Sequence, residues 1–227
     1  MATIYTIGHS TRTLDELIAA LHAHGIGTLV DIRAFPMSRR LPHFNRESLE
    51  RELPKQGIEY VWMKELGGRR KKILDDSPNT GLRNDSFRNY ADYMLTPQFA
   101  EAIARLLKIA EPTPSPKEGE TPALNLTKKT AGPPAAPPPG SPTTRVGEDA
   151  DAPLGITNLE GAANAAIMCA ERVYFHCHRM LVSDYLVAHG HTVLHIDDDK
   201  HPPRPHKLMA EAHMVNGQLL YNAQELF

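Results

Sequence analysis

The sequence predicts a single α/β domain: a mainly parallel sheet flanked by helices, Rossmann-like and doubly wound, interrupted by a disordered Pro-rich insertion. Three observations lead there. Short β-rich runs with little polar alternation recur along the chain, as strands buried on both faces do. Between them lie segments with apolar residues at helical spacing, the βαβ pattern of a parallel sheet with right-handed crossovers. One long stretch has the composition of neither.

The first strand is "TIYTI", Thr3–Ile7. In "TLDELIAALHAHG", Leu14, Leu17, Ile18 and Leu21 share one helical face, Thr13 and Glu16 form a capping box, and Gly25 is the stop. "TLVDI", Thr28–Ile32, is the second strand. A short helix starts at Asn45 in "NRESLEREL", and "IEYVW", Ile58–Trp62, is the third strand. Two helices follow, "SFRNYADYM" and "TPQFAEAIARLLKIA", the second opened by Thr96 with Pro97 in its first turn. After the Pro-rich stretch come the strand "AAIMCA" (Ala165–Ala170), a helix across "HRMLVSDYLVAHG", and the strand "TVLHI" (Thr192–Ile196).

Residues 112–153 hold 11 of the 19 prolines and almost no large apolar side chains, too little to offset the entropy of ordering them. The part after this stretch, with two good strands and one helix, is thin for a free-standing domain. The expected organisation is therefore one domain from residues 1–111 and 155–227, with 112–154 as a flexible insertion or linker.

Composition narrows the function classes. With 41% hydrophobic and 23% charged residues and a net charge of −2, the chain is an ordinary globular protein without a global basic field. "MATIYTIGHS" lacks the basic and apolar regions of a signal peptide, and no apolar run approaches a membrane span. Two cysteines cannot build a disulfide framework, so the expected setting is a reducing cytoplasm.

In open parallel sheets, ligands bind beyond the carboxyl ends of the strands. Polar side chains recur at that edge here: Gly8-His9-Ser10 after the first strand, Asp31 and Arg33 at the second, Lys64, Glu65, Arg69 and Arg70 after the third. Cys169 and Glu171 end the fourth, leading to His176, Cys177, His178 and Arg179. Each has a bland alternative. Gly8–Ser10 is equally a strand-to-helix turn with Ser10 as a cap; for Asp31 with Arg33 a functional role is preferred, with a structural ion pair the lesser alternative. His22, His24, His189 and His191, at helix ends, are read as carbonyl partners.

For "CAERVYFHCHR" three readings stay open: a zinc site of Cys169, Cys177 and His178, with His176 as a further donor; a thiolate nucleophile at Cys177, activated by His178 or Arg179; or a buried Cys177 beside Glu171, His178 and Arg179, acting as carboxylate, proton carrier and anion clamp. The last is preferred, with no metal cofactor and zinc the minority choice. Between Asp31 and Lys72 there are 11 Lys/Arg against 6 Asp/Glu, dense in "FPMSRRLPHF" and "LGGRRKK", which suits phosphates. Phe35, His43, Phe44 and Trp62 lie among them as candidates to stack on bases.

These motifs, "YTIGHSTRTLDELIAALHAHGIGTLVDIRAFPMSRRLPHFN", "LGGRR", "GLRNDSFRNYADYM", and "CAE" followed by "CHR", resemble domain-of-unknown-function family 488, in the right order and interrupted only by the Pro-rich stretch. The resemblance implies bacterial and archaeal cytoplasmic proteins with an α/β fold and an active site of unassigned chemistry. Its motif residues fall on Gly8, His9, Ser10, Asp31, Arg33, Arg39, Arg40, Gly67, Gly68, Arg69, Arg70, Cys169, Glu171, Cys177, His178 and Arg179. Tyr174 stands where many relatives have proline.

The leading functional expectation is a nucleic-acid-processing enzyme, with DNA favoured, that excises a base in the manner of a glycosylase. Asp31 and Glu171 are its candidate carboxylates, His9 or His178 the proton carrier, and Cys177 a further catalytic candidate. Lys64 is the candidate for a Schiff-base lyase step. Ser10, Arg33, Arg39, Arg40, Phe44, Arg69, Arg70 and Arg179 are the binding candidates. The alternatives are a hydrolase or transferase on a small phosphorylated or nucleotide substrate, metal-dependent in one version, and a non-enzymatic nucleotide or RNA binding module. No membrane partner is expected, and no protein partner is readable from the Pro-rich segment.

Overall fold

The computed structural model describes residues 1–111 and 164–222. Five parallel strands are β1 (Thr3–Gly8), β2 (Ile26–Asp31), β3 (Glu59–Trp62), β4 (Asn164–Cys169) and β5 (Thr192–Ile196). With a short antiparallel edge strand, β6 (Arg204–Pro205), they form one sheet in the order β3-β2-β4-β1-β5-β6. A separate hairpin pairs β7 (Ala212–Val215) with β8 (Gln218–Tyr221). The α/β class and the mainly parallel sheet are as expected. The Pro-rich stretch lies outside the described residues. The chain on either side of it shares one sheet, because β4 sits between β2 and β1.

The helices are α1 (Leu14–Ala23), α2 (Arg46–Glu52), α3 (Asp85–Met94), α4 (Pro97–Ile109) and α5 (Arg179–Ala188). Local chemistry sets their starts. Thr13 and Glu16 make the reciprocal capping box of α1, Asn84 caps α3 through the amides of Ser86 and Phe87, and Thr96 caps α4 ahead of Pro97. Strand alternation then sorts the helices between two faces. Ile7, Leu29, Ala166 and Met168 pack against Leu17, Leu21 and Leu49 of α1 and α2. Ile4, Val30, Ile167 and Cys169 face α3, α4 and α5. Each fully buried aliphatic side chain contributes about 1.5–3 kcal/mol, so this three-layer arrangement holds the strand ends in place.

The chain after β5, where no element was read from the sequence, supplies β6 and the hairpin. A buried polar chain anchors them. The carboxylate of Asp184 on α5 accepts from His206 Nε2 (2.8 Å), from the Met209 amide (3.1 Å) and from the Tyr221 hydroxyl (3.1 Å). Accepting there fixes the tautomers of two rings. His195 Nε2–H donates to His206 Nδ1 (2.9 Å), and the Thr6 hydroxyl donates to His195 Nδ1 (2.7 Å). Tyr174 covers the chain by stacking on His195, centroids 3.6 Å apart. All four polar members, Thr6, His195, His206 and Asp184, are buried.

Breaking the anchor leaves buried donors without an acceptor. Asp184→Ala should therefore lose about 3–5 kcal/mol of unfolding free energy in urea titration. A loss below 1 kcal/mol would mean the network contributes little.

Candidate active site at the carboxyl edge of the sheet

The strand ends build a cavity of about 430 Å³, lined by residues from three of the loops and the first turn of α3. Cys169, Cys177 and His178 lie at its buried end, while Arg33, Phe35, Met37, Arg69, Phe87, Glu171 and His176 complete the lining. Arg33 to Met37 follow β2, Gly68 and Arg69 follow β3, and Ala170 to His178 follow β4. Its volume falls within the range of about 300–1,000 Å³ usual for small-molecule sites.

His178 organises the buried end. Its Nε2–H donates to the carbonyl of Ile32 at 3.0 Å, which turns Nδ1 toward the two sulfurs, 3.5 Å from Cys177 Sγ and 3.9 Å from Cys169 Sγ, where it accepts from a thiol as a neutral ring or donates to a thiolate as an imidazolium. Gly68 makes this possible. A Cβ there would stand 2.7 Å from Cγ and 3.0 Å from Cε1 of His178, and closer still to Nδ1, over the face of the ring. Gly8 plays the same part on the other side: a Cβ would overlap the Glu171 carbonyl and lie 2.8 Å from Arg172 Cα. Both glycines are needed for close approach.

The sulfurs differ in acidity. A hydrogen bond from Cys169, then His178 and Arg179 nearby, pull the Cys177 thiol well below its usual range, against the effect of burial. Cys169, as the donor of that bond and buried, is pushed up. Both cysteines are free. Cys169, Cys177 and His178 each offer one donor atom, all within 4.8 Å of one another, and form the only such group of metal-binding side chains among the described residues.

A second network lies beside the cavity. Arg33 donates to both oxygens of Asp31, through Nε at 2.9 and 3.0 Å and through Nη2 at 2.5 Å, and also to the Phe44 carbonyl at 2.8 Å. Tyr60 donates to Asp31 at 2.7 Å, and burial together with that carboxylate raises the Tyr60 pKa. His9 stacks on Phe44, with Nε2 3.2 Å from Arg33 Nη1. Burial and the Arg33 charge lower its pKa to about 4, so it is neutral at pH 7.

Several expected roles change. Asp31 is fully buried and saturated by Arg33 and Tyr60, so it positions Arg33 rather than meeting a ligand. Arg179, expected as an anion clamp, is 1% exposed and turns inward. Its guanidinium binds the carbonyls of Glu171 and Arg172 and reaches Thr6 Oγ1 at 3.4 Å. Phe44 belongs to the core. Ser10 is not a helix cap: Thr13 caps α1, while Ser10 takes φ +49° and donates its amide to the Ala170 carbonyl. Arg70 lies over Tyr93, its guanidinium carbon 3.6 Å from the ring centroid, and does not line the cavity. Lys64, Arg39 and Arg40 are exposed outside that lining. Glu171, His178, Cys177, Cys169, Arg33 and Arg69 do converge there. Three of the helix-end histidines meet carbonyls as read, His22 that of Gln56, His24 that of Asp198 and His189 that of Tyr185, whereas His191 Nδ1 instead accepts from the Ala2 amide.

Sequence reasoning did not single out Met37 and Phe87 of the lining, nor Tyr60, Asp184, His206 and Tyr221 of the supporting networks. One signal was available: Asp184 lies between Val182 and Leu186 on an apolar helix, where a carboxylate needs a partner.

Residues 13–113 match the model of the family described as domain of unknown function DUF488. This is the family that the motifs resemble. The DUF488 span carries Asp31, Arg33, Gly67, Gly68 and Arg69, whereas Gly8–Ser10 and Cys169–Arg179 lie outside it. No curated protein and no solved structure matches the chain. Among the described residues, no helix is long and apolar enough to cross a membrane.

Two outcomes follow from this geometry. Gly8→Ala forces the β4–α5 loop away from β1, which should cost about 2–3 kcal/mol in chemical unfolding and displace Arg179 from its carbonyl partners. His9, at about 4, and His195, lowered to about 3 chiefly by burial, stay neutral in the folded chain while the unfolded chain protonates near 6.5. The unfolded state then binds more protons, so stability should fall as pH drops from about 6.5 to 5. Urea midpoints across that window test this, and His195→Gln should flatten the slope; a flat wild-type profile would contradict neutral burial.

Proposed function

We propose that the protein is an enzyme acting on nucleic acid, and that the cavity takes a nucleobase swung out of its strand and cuts it from its sugar. The observation that carries this reading is the make-up of the cavity: apolar and aromatic walls from Phe35, Met37 and Phe87, Arg69 lying over the Phe35 ring at 5.7 Å, and a polar inner end at His178. Flat apolar walls suit a base, a cation at the mouth suits the phosphate beside it, and excision enzymes need both. Phe35 and Met37, 64% and 76% exposed, are placed to fill the gap that an extruded base leaves.

Glu171 is the carboxylate of the lining. In the reaction, water adds to the anomeric carbon of the sugar, the bond to the base nitrogen breaks, and the base leaves with a proton. A carboxylate near that carbon stabilises the cationic sugar or orients the water. The exposed position of Lys64 outside the lining favours direct hydrolysis over a Schiff-base step.

A second reading has one observation behind it. With Arg179 and Arg70 turned away and Arg33 already paired with Asp31, Arg69 is the cation of the lining without a carboxylate partner among the described residues, enough for one phosphate. That suits a free nucleotide as well as a strand.

The test is a panel of labelled duplexes and single strands carrying single modified bases, run beside free nucleosides and nucleotides. Release of one base, reduced at least 100-fold by Glu171→Gln, is the expected result. Arg69→Ala should weaken strand binding and lower its salt slope by about one. Turnover of free nucleotides alone selects the second reading, and no release with salt-independent binding would end the first.

A further inference from the structure

We propose that Cys169, Cys177 and His178 bind one zinc ion, with the fourth coordination position open to the cavity. Three independent features of the structure point to it. The first is spacing. Zinc bound tetrahedrally, with Zn–S about 2.3 Å and Zn–N about 2.0 Å, has a sulfur–nitrogen edge of about 3.5 Å. The two such edges here measure 3.5 and 3.9 Å, and all three donor atoms lie within 4.8 Å of one another, so both sulfurs stand near ligand separation from the ring nitrogen.

The second is the preparation of the imidazole. A histidine that binds a metal through one nitrogen commonly donates the other N–H to a carbonyl, which fixes the tautomer and aims the lone pair. His178 makes this bond to Ile32, and Gly68 lies flat against the ring face, leaving the plane of the Nδ1 lone pair clear. Tyr90 packs beside the same ring, centroids 5.2 Å apart, and its hydroxyl donates to Leu66 at 2.8 Å. The ring is held from several sides with its basic nitrogen turned toward two sulfurs.

The third is charge and access. Two thiolates neutralise a divalent cation, and soft sulfur with imidazole selects zinc over magnesium or calcium. Arg179, fully buried without a carboxylate contact among the described residues, then adds a positive charge that favours an anion such as hydroxide in the fourth position. All three donors line the cavity together with Glu171 and His176. Two cysteines, one histidine and an open position make the donor set of a catalytic rather than a structural zinc site. The open position would hold the water that a hydrolytic reaction consumes.

The site stands apart from the nucleic-acid reading, because zinc uptake is measured without substrate. The full chain, purified from zinc-supplemented cells, is expected to carry one zinc per molecule by elemental analysis. Stripped protein should take one equivalent from a zinc–chromophore complex and protect both thiols from a disulfide reagent. Cobalt(II) in its place should show the near-ultraviolet thiolate charge-transfer band, weakened in Cys169→Ser. His178→Gln should lower affinity at least 10-fold while its far-ultraviolet circular dichroism stays that of the wild type. Folded wild-type chain that takes up no zinc, with thiols equally reactive with and without the ion, would overturn the proposal. Zinc uptake without base release would leave it standing and count only against the excision reading.

Discussion

The hydrogen bond from His178 to the carbonyl of Ile32 holds the site together, because it joins segments 146 residues apart at the carboxyl edge of the sheet. The parallel pairing of β2 with β4, with Asp31 opposite Met168, brings the end of β2 beside Cys169. The β3 loop then closes over the ring at Gly68. Each of these contacts requires the others. A one-residue slip of β4 would exchange its two faces, so Cys169 would leave the α5 side and the paired sulfurs would part. Core packing on both faces of the sheet makes such a slip costly, which is how burial far from the cavity sets distances within it.

Two buried arginines show how the same side chain is used in different ways. Arg33 is balanced directly by Asp31, with Tyr60 occupying the same carboxylate. Arg179 is linked to Asp184 only through Thr6, His195 and His206, a run of donors all pointing toward the carboxylate. Its charge is therefore left to act on the sulfurs beside it, and it contributes to the acidity of Cys177. The exposed cation of the lining is Arg69. The division is physical: a buried guanidinium without a carboxylate beside it is held here because the Glu171 and Arg172 carbonyls and Thr6 accept its hydrogen bonds.

Much of the fold was legible in the chain. Thr13 with Glu16, and Thr96 with Pro97, mark helix starts through bonds within a few residues, and the apolar runs Thr28–Ile32 and Thr192–Ile196 needed only their own composition to be read as buried strands. The edge of the sheet where Gly8, Arg33, Cys169 and His178 collect was legible too, since strand order and right-handed crossovers bring all carboxyl ends to one side. The β7–β8 hairpin was not, because its half-exposed strands are short and its anchor, Asp184 to Tyr221, spans 37 residues.

What the sequence determined by itself was the set of elements, their caps and the chemistry available at the strand ends, all governed by neighbours along the chain. What only the tertiary structure decided was the direction in which each of those side chains points. Arg179 sits beside a helix start in sequence, yet turns inward because the Glu171 and Arg172 carbonyls and Thr6 offer it partners there. Asp31 lies near a cavity-lining arginine, yet is closed off by Tyr60 from another strand. Cys169 and Cys177 are eight positions apart, and their meeting at Nδ1 of His178 depends on a carbonyl from β2's end and a missing side chain at Gly68. Orientation at a loop is set by non-local partners, and those exist only once the sheet has brought the strand ends together.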